Sequence, residues 1–193
     1  MGDSLTAPVH RLANNTSLRR VLTAVRNPLS LLGVALLLPW LKPEYFFIGL
    51  AVSVCGEAIQ IWSFASLAKQ KKLSAKGPYT LVRNPMYIGR YLLILGGVLM
   101  TGNAAFLAAF TVVYYFYVVN RVTREEVVLA GVFGEPYEQY CSTVNRFLPS
   151  FRGANIADLC YFRWSLFEEN NAHWNLLGAL LIWGGFYYFA LVR

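Results

Sequence analysis

Apolar residues along this chain fall into five blocks separated by short polar breaks. The first runs from about Leu29 to Leu41 and ends at Lys42-Pro43-Glu44, where proline removes a helical donor. The others run from Tyr45 to Ala68, Met86 to Met100, Ala104 to Asn120 and Trp174 to Val192. About 20 apolar residues cross a bilayer as a helix. The second block meets that length. The first is short, so it is either completed by Val21 to Asn27, or tilted, or partly re-entrant. Thr101-Gly102-Asn103 is a tight turn that joins the third and fourth blocks as a helical hairpin. Two polar stretches interrupt the blocks. One leads from Lys69 to Pro85, with Gly77-Pro78 and Asn84-Pro85 as turn punctuation. The other runs from Arg121 to Arg163, with helical patterns at 120–133 and 136–146 around Gly134-Glu135-Pro136. The predicted fold is all-α: a polytopic transmembrane helical bundle of about five spans, with cytoplasmic helices and loops forming a pocket. The expected division is an interfacial N-terminal segment at 1–27, a membrane core at 28–150, and an interfacial segment with a final transmembrane helix at 151–193.

Composition agrees with a membrane bundle. Hydrophobic residues make up 56% of the 193, charged residues only 14%, and mean hydropathy is +0.44; soluble domains carry about 25% charged residues. The net charge of +7 would suggest nucleic acid in a soluble protein. Here most Lys and Arg flank apolar blocks, so they are expected to set topology and to meet anionic lipid headgroups, with no nucleic-acid partner. Arg11, Arg19, Arg20 and Arg26 mark a cytoplasmic tail, partly an amphipathic surface helix. The loop at 69–83 and the segment from 121 join it on that side, and the breaks at 42–44 and 101–103 lie outside. The N-terminus is then in and the C-terminus out. Trp174, Trp183, Tyr187 and Tyr188 suit interfacial or lipid-facing positions. Cys55, Cys141 and Cys160 are odd in number and lack metal spacing, so free thiols and no metal are expected. The chain shows no signal-peptide core, internal repeat or dinucleotide fingerprint.

Candidate chemistry gathers in two segments, 77–89 and 121–149, each adjoining a membrane block and both on the predicted cytoplasmic side. Structural roles account for part of them. Asn84 suits an N-cap with Pro85 at the first helical position, Arg121 is placed to pair with Glu125 one turn on, and Tyr137 and Tyr140 fit an interfacial stripe. A helix N-terminus also presents free N–H groups to an anion. Glu57, an ionisable group inside a membrane block, is a functional candidate, or else a buried carboxyl that ties helices together.

The joint order of these residues resembles the isoprenylcysteine carboxyl methyltransferase family and its bacterial relatives. The matching pieces are Gly77-Pro78-Tyr79, then Arg83-Asn84-Pro85-Met86-Tyr87-Ile88-Gly89, then Arg121, Glu125-Glu126-Val127-Val128-Leu129, Phe133-Gly134, Tyr137, Tyr140 and Pro149, preceded by Gly56-Glu57-Ala58-Ile59-Gln60-Ile61-Trp62. The resemblance covers about residues 50–150. It implies S-adenosylmethionine as cofactor, leaving as S-adenosylhomocysteine, and a lipid-like or prenylated acceptor entering from the bilayer. It implies that Tyr79, Arg83, Asn84, Tyr87 and the backbone near Gly89 hold the amino-acid end. Glu125 or Glu126 would bind ribose hydroxyls or the ammonium group, and Arg121 would orient an anionic acceptor. Glu126 or Glu57 would be the base if an amine is methylated. Asn84 stands where the family has His, and Gln60 where it usually has Arg. Asn-Pro-Met-Tyr is similar to a segment of phosphatidylethanolamine N-methyltransferases, so a phospholipid amine is an alternative acceptor. A non-catalytic scaffold that kept the fold, and a small transporter, are the readings from other classes.

Overall fold

The computed structural model describes residues 26–68, 73–151 and 155–193, and side chains from Leu32 onward. Every regular element among them is helical. In chain order these are α1 (Arg26–Leu37), a 3₁₀ turn (Leu38–Trp40), α2 (Pro43–Ser66), a 3₁₀ turn (Gly77–Thr80), α3 (Pro85–Leu99) and α4 (Ala104–Phe133). Then come α5 (Glu135–Thr143), the short α6 (Ile156–Leu159) and α7 (Trp164–Glu169), and α8 (Ala172–Tyr187), which continues into a wider turn at Tyr188–Val192. Each apolar block forms a helix. Those at Pro43–Ser66, Ala104–Phe133 and Ala172–Val192 are long and apolar enough to cross a membrane, and Pro85–Leu99 is a shorter apolar helix. The chain is thus an integral membrane helical bundle. The amphipathic helix expected before Arg26 lies outside the described residues.

The hairpin of α2 and α3 is the centre of the bundle, and glycine makes it possible. A Cβ on Gly56 would lie 2.3 Å from the Leu93 N and 2.6 Å from the Gly89 O, and one on Gly96 would lie 2.3 Å from the Gly49 O. The two backbones therefore touch, as small residues permit in membrane helices. Ser53 Oγ donates to the Leu93 carbonyl at 2.7 Å across this contact. Beyond it, Phe46, Met100, Phe186 and Ala190 form a buried cluster that brings α8 and α1 onto the hairpin. The turn into α4 places Gly102 at φ 59, and Asn103 caps α4 by accepting from the Ala105 and Phe106 N–H groups.

α4 runs unbroken for 30 residues, about 45 Å at 1.5 Å per residue. The polar stretch from Asn120 thus continues the membrane helix, and Gly134 at φ 57 followed by Pro136 ends it. The C-terminal region closes back on the end of α2. Trp62 Nε1 and Ser66 Oγ donate to the Tyr161 carbonyl, and Arg163 N–H donates to Ala65 O. Asn170 Nδ2 donates to Phe64 O and Leu67 O at 2.9 and 2.8 Å. Carbonyls orphaned at a helix C-terminus are satisfied here by a segment about 100 residues away in sequence.

Candidate active site

After α5 the chain turns extended at Val144 and returns under the start of α3. Arg83 N–H donates to Asn145 O at 2.9 Å, Ser150 N–H to Leu81 O at 2.8 Å, Asn84 Nδ2 to Arg146 O at 3.3 Å, and Tyr140 OH to Tyr79 O at 2.7 Å. This stitching draws the 79–84 segment against α4 and α5. Between them lies a cavity of about 650 Å³ lined by Tyr79, Arg83, Asn84, Arg121, Glu125 and Tyr137 among others, within the size range of small-molecule sites. Leu129, Val132 and Phe133 of α4 supply an apolar wall, and Leu67 and Ala68 after α2 the opposite side.

Two charged groups flank the cavity. In the first, Tyr87 OH donates to Glu125 Oε2 at 2.9 Å, and Arg121 Nε lies 2.7 Å from Glu125 Oε1 and 3.3 Å from the Tyr87 hydroxyl. Arg121 and Glu125 are roughly half-exposed, so their ion pair stabilises little and their ends remain accessible. In the second, Glu126 pairs with Arg146 and lies 3.6 Å from Arg83 Nη2. Arg83 and Glu126 are mostly buried, and Arg83 Nε is buried without an acceptor among the described residues. Within these two groups three guanidiniums face two carboxylates, Arg124 adds a further cation to the cavity lining, and Arg83 Nε is a buried donor with no acceptor among the described residues.

The phenols of the site are neutral. Burial raises Tyr79, Tyr137 and Tyr140 above the ordinary tyrosine range, and the negative Glu126 adds to the effect on Tyr137. They act as hydrogen-bonding walls and cannot serve as bases near neutral pH.

Residues 44–136, from α2 to the start of α5, match the family model described as phospholipid methyltransferase. The chain is 32% identical over 129 residues to a protein of Oryza sativa subsp. indica named "Probable protein-S-isoprenylcysteine O-methyltransferase", covering 60% of this chain and 68% of that one. The chain belongs to the isoprenylcysteine carboxyl methyltransferase family. It is also 33% identical over 96 residues to the protein-S-isoprenylcysteine O-methyltransferase of Schizosaccharomyces pombe (48% of this chain, 41% of that one). With protein-S-isoprenylcysteine O-methyltransferase B of Arabidopsis thaliana it shares 29% over 125 residues (58% and 64%). No solved structure matches. Family membership makes this chain a membrane methyltransferase, and S-adenosylmethionine is the donor such a family generally implies.

The family motif explains local structure as well. Gly77 sits at φ +62, and a Cβ there would meet Ser66 Oγ at 2.1 Å, so only glycine lets the Gly77–Thr80 turn close on α2. Of the residues expected at the site, Tyr79, Arg83, Asn84, Arg121 and Glu125 line the cavity, and Tyr87 reaches it through its hydroxyl partners. Four residues have placements that the sequence left open. Asn84 occupies the N-cap position, but its side chain makes no capping bond, because the amide is drawn to Arg146 O. Gly89 is buried against Gly56 in the α2–α3 contact and does not reach the cavity. Glu57 is 2% exposed between α2 and α8, where Gln60 Nε2 and Asn175 Nδ2 donate to it, so it ties helices together. Glu126 turns from the cavity toward Arg83 and Arg146. Arg146 carried no signal in the sequence. Tyr137 and Tyr140 stand in the Phe-Gly-x-x-Tyr-x-x-Tyr spacing, which by itself fits an interfacial stripe equally well.

Proposed function

We propose that the cavity between the 79–84 segment, α4 and α5 holds S-adenosylmethionine, and that the acceptor is the free carboxylate of a prenylated cysteine, the relatives being named for O-methyl transfer to S-isoprenylcysteine. The observation that carries the reading is Arg83, a mostly buried guanidinium whose Nε donor has no partner among the described residues, beside a cavity of about 650 Å³. A free buried donor on a cation there suits the α-carboxylate of an amino-acid-bearing cofactor. Glu125 has carboxylate oxygens suited to ribose hydroxyls or the ammonium group, and Leu129, Val132 and Phe133 suit a flat apolar ring. Once bound, the cofactor supplies a methyl carbon on a sulfonium whose leaving group is a neutral thioether.

The chain's residues then have to position and desolvate the nucleophile. Arg121, at the edge of the cavity and oriented by Tyr87 and Glu125, holds the acceptor carboxylate by charge-assisted hydrogen bonds. Such a nucleophile is already ionised, so no base is required, and the neutral phenols serve as walls that limit water. Glu126 is a positioning residue, holding Arg83 and Arg146 in place. The concentration of Lys76, Arg83, Arg121 and Arg146 about this end of the bundle supports a cytoplasmic site, with the N-terminus in and the C-terminus out. The amine alternative rests on Asn84 and on the phospholipid methyltransferase match. Glu125, the carboxylate that lines the cavity, would then be the proton acceptor.

Calorimetry on the detergent-purified chain tests the cofactor. S-adenosylhomocysteine should bind, and Arg83→Ala should weaken it by about 10- to 100-fold, the range of a charge-assisted hydrogen bond. Equal binding by both proteins rejects the assignment of Arg83. Methyl transfer to a prenylated cysteine, compared with phosphatidylethanolamine, separates the two acceptors.

A further inference from the structure

Arg90 is the only charged residue of α3. It lies about 7.5 Å along the axis from Pro85 at 1.5 Å per residue, within a helix otherwise suited to lipid. Among the described residues no carboxylate pairs with it. Its guanidinium lies over the Tyr87 ring, 5.7 Å from the centroid. That contact offsets part of the cost of a charge at this depth, and a long Arg stem reaches toward the headgroup layer, but neither supplies an anion. Tyr87 also walls a second cleft of about 280 Å³ between α3 and α4, together with Ile88, Tyr91, Tyr114, Tyr115 and Phe147. A cation with no carboxylate partner among the described residues and an aromatic cleft thus share one side chain.

We propose that Arg90 and this cleft bind one anionic phospholipid, with its phosphate on the guanidinium and part of an acyl chain against Tyr91 and Tyr114. The charge commits the headgroup and the aromatic lining commits the chain. The site is separate from the cofactor cavity, yet its occupant would touch Tyr87, whose hydroxyl orients Arg121 and Glu125. Bilayer composition would therefore act on the active site through one ring.

The test is native mass spectrometry of the full chain, released from micelles holding equal amounts of phosphatidylglycerol and phosphatidylcholine. The wild type should retain one phosphatidylglycerol with about tenfold preference. Arg90→Gln should remove the preference, Arg90→Lys should keep most of it, and Tyr91→Ala should weaken retention with the charge intact. Arg193→Gln, at the opposite end of the bundle, should change nothing. If Arg90→Gln does not fold, the Lys and Tyr91 variants carry the comparison. Indifference of the wild type to headgroup charge overturns the proposal, and so does undiminished retention by Arg90→Gln. Displacement by inorganic phosphate as readily as by lipid would reject a lipid occupant.

Discussion

At the residue scale the site depends on side chains that hold other side chains. Tyr87 does not line the cavity, yet its hydroxyl fixes both Arg121 and Glu125. Tyr87→Phe keeps the ring and removes that restraint. Hydrogen bonds to charged groups contribute about 1.5–3 kcal/mol, so methyl transfer should fall by about 10- to 100-fold in kcat/KM when measured at a temperature where the variant is fully folded. A variant with wild-type kcat/KM would mean that Arg121 and Glu125 do not need the hydroxyl. These roles were only half legible in the sequence. Arg121 and Glu125 stand one helical turn apart, and their pairing follows from that spacing. The third member comes from another helix, and no periodicity in α4 points to it.

At the scale of elements, the α2–α3 hairpin is the part most sensitive to volume. Gly56→Ala would drive a Cβ into the backbone of Gly89 and Leu93. Backbone cannot yield as a side-chain tip can, so the loss should exceed the 1–3 kcal/mol usual for overpacking, read as a large drop in melting temperature and in monodisperse yield. Gly178→Ala on α8 meets nothing within 4 Å and should stay within about 0.5 kcal/mol of the parent. The capping of α2 makes a second prediction. Asn170→Ala removes a buried amide that serves two carbonyls, at about 1–3 kcal/mol. Leu67, whose carbonyl is one of the two, and Ala68 after it line the cavity. A raised KM for the cofactor with kcat maintained would show that the clamp acts on the cavity wall; a lowered melting temperature with unchanged KM would confine its role to stability.

At the scale of the whole molecule, stability should depend on alkaline pH through the buried phenols. Their folded pKa values lie above the ordinary tyrosine value of about 10. Below that value both the folded and unfolded chains keep the protons, and the contribution is fully present. Above it the unfolded chain releases protons that the folded chain retains, so stability falls as pH rises further. The melting temperature should be flat in this respect between pH 7 and 9 and decline above about 10. Tyr140→Phe should make that decline shallower, at the cost of the bond to Tyr79 O. An equal slope in both proteins would remove Tyr140 from the account.

The sequence alone determined that this chain is a helical membrane protein, because apolar block lengths, turn residues and flanking charge are local properties. It also determined the family, because the ordered run from Gly77 to Tyr140 is a linear pattern. Tertiary structure decided which members of that pattern share a cavity. Glu57 and Gly89 belong to motifs as much as Arg83 does, but helix packing turns them toward α8 and α2. Arg146 enters only because the chain doubles back beneath α3. Direction around a helix and contact between distant segments are set by packing across the whole bundle, and no local run of residues encodes them.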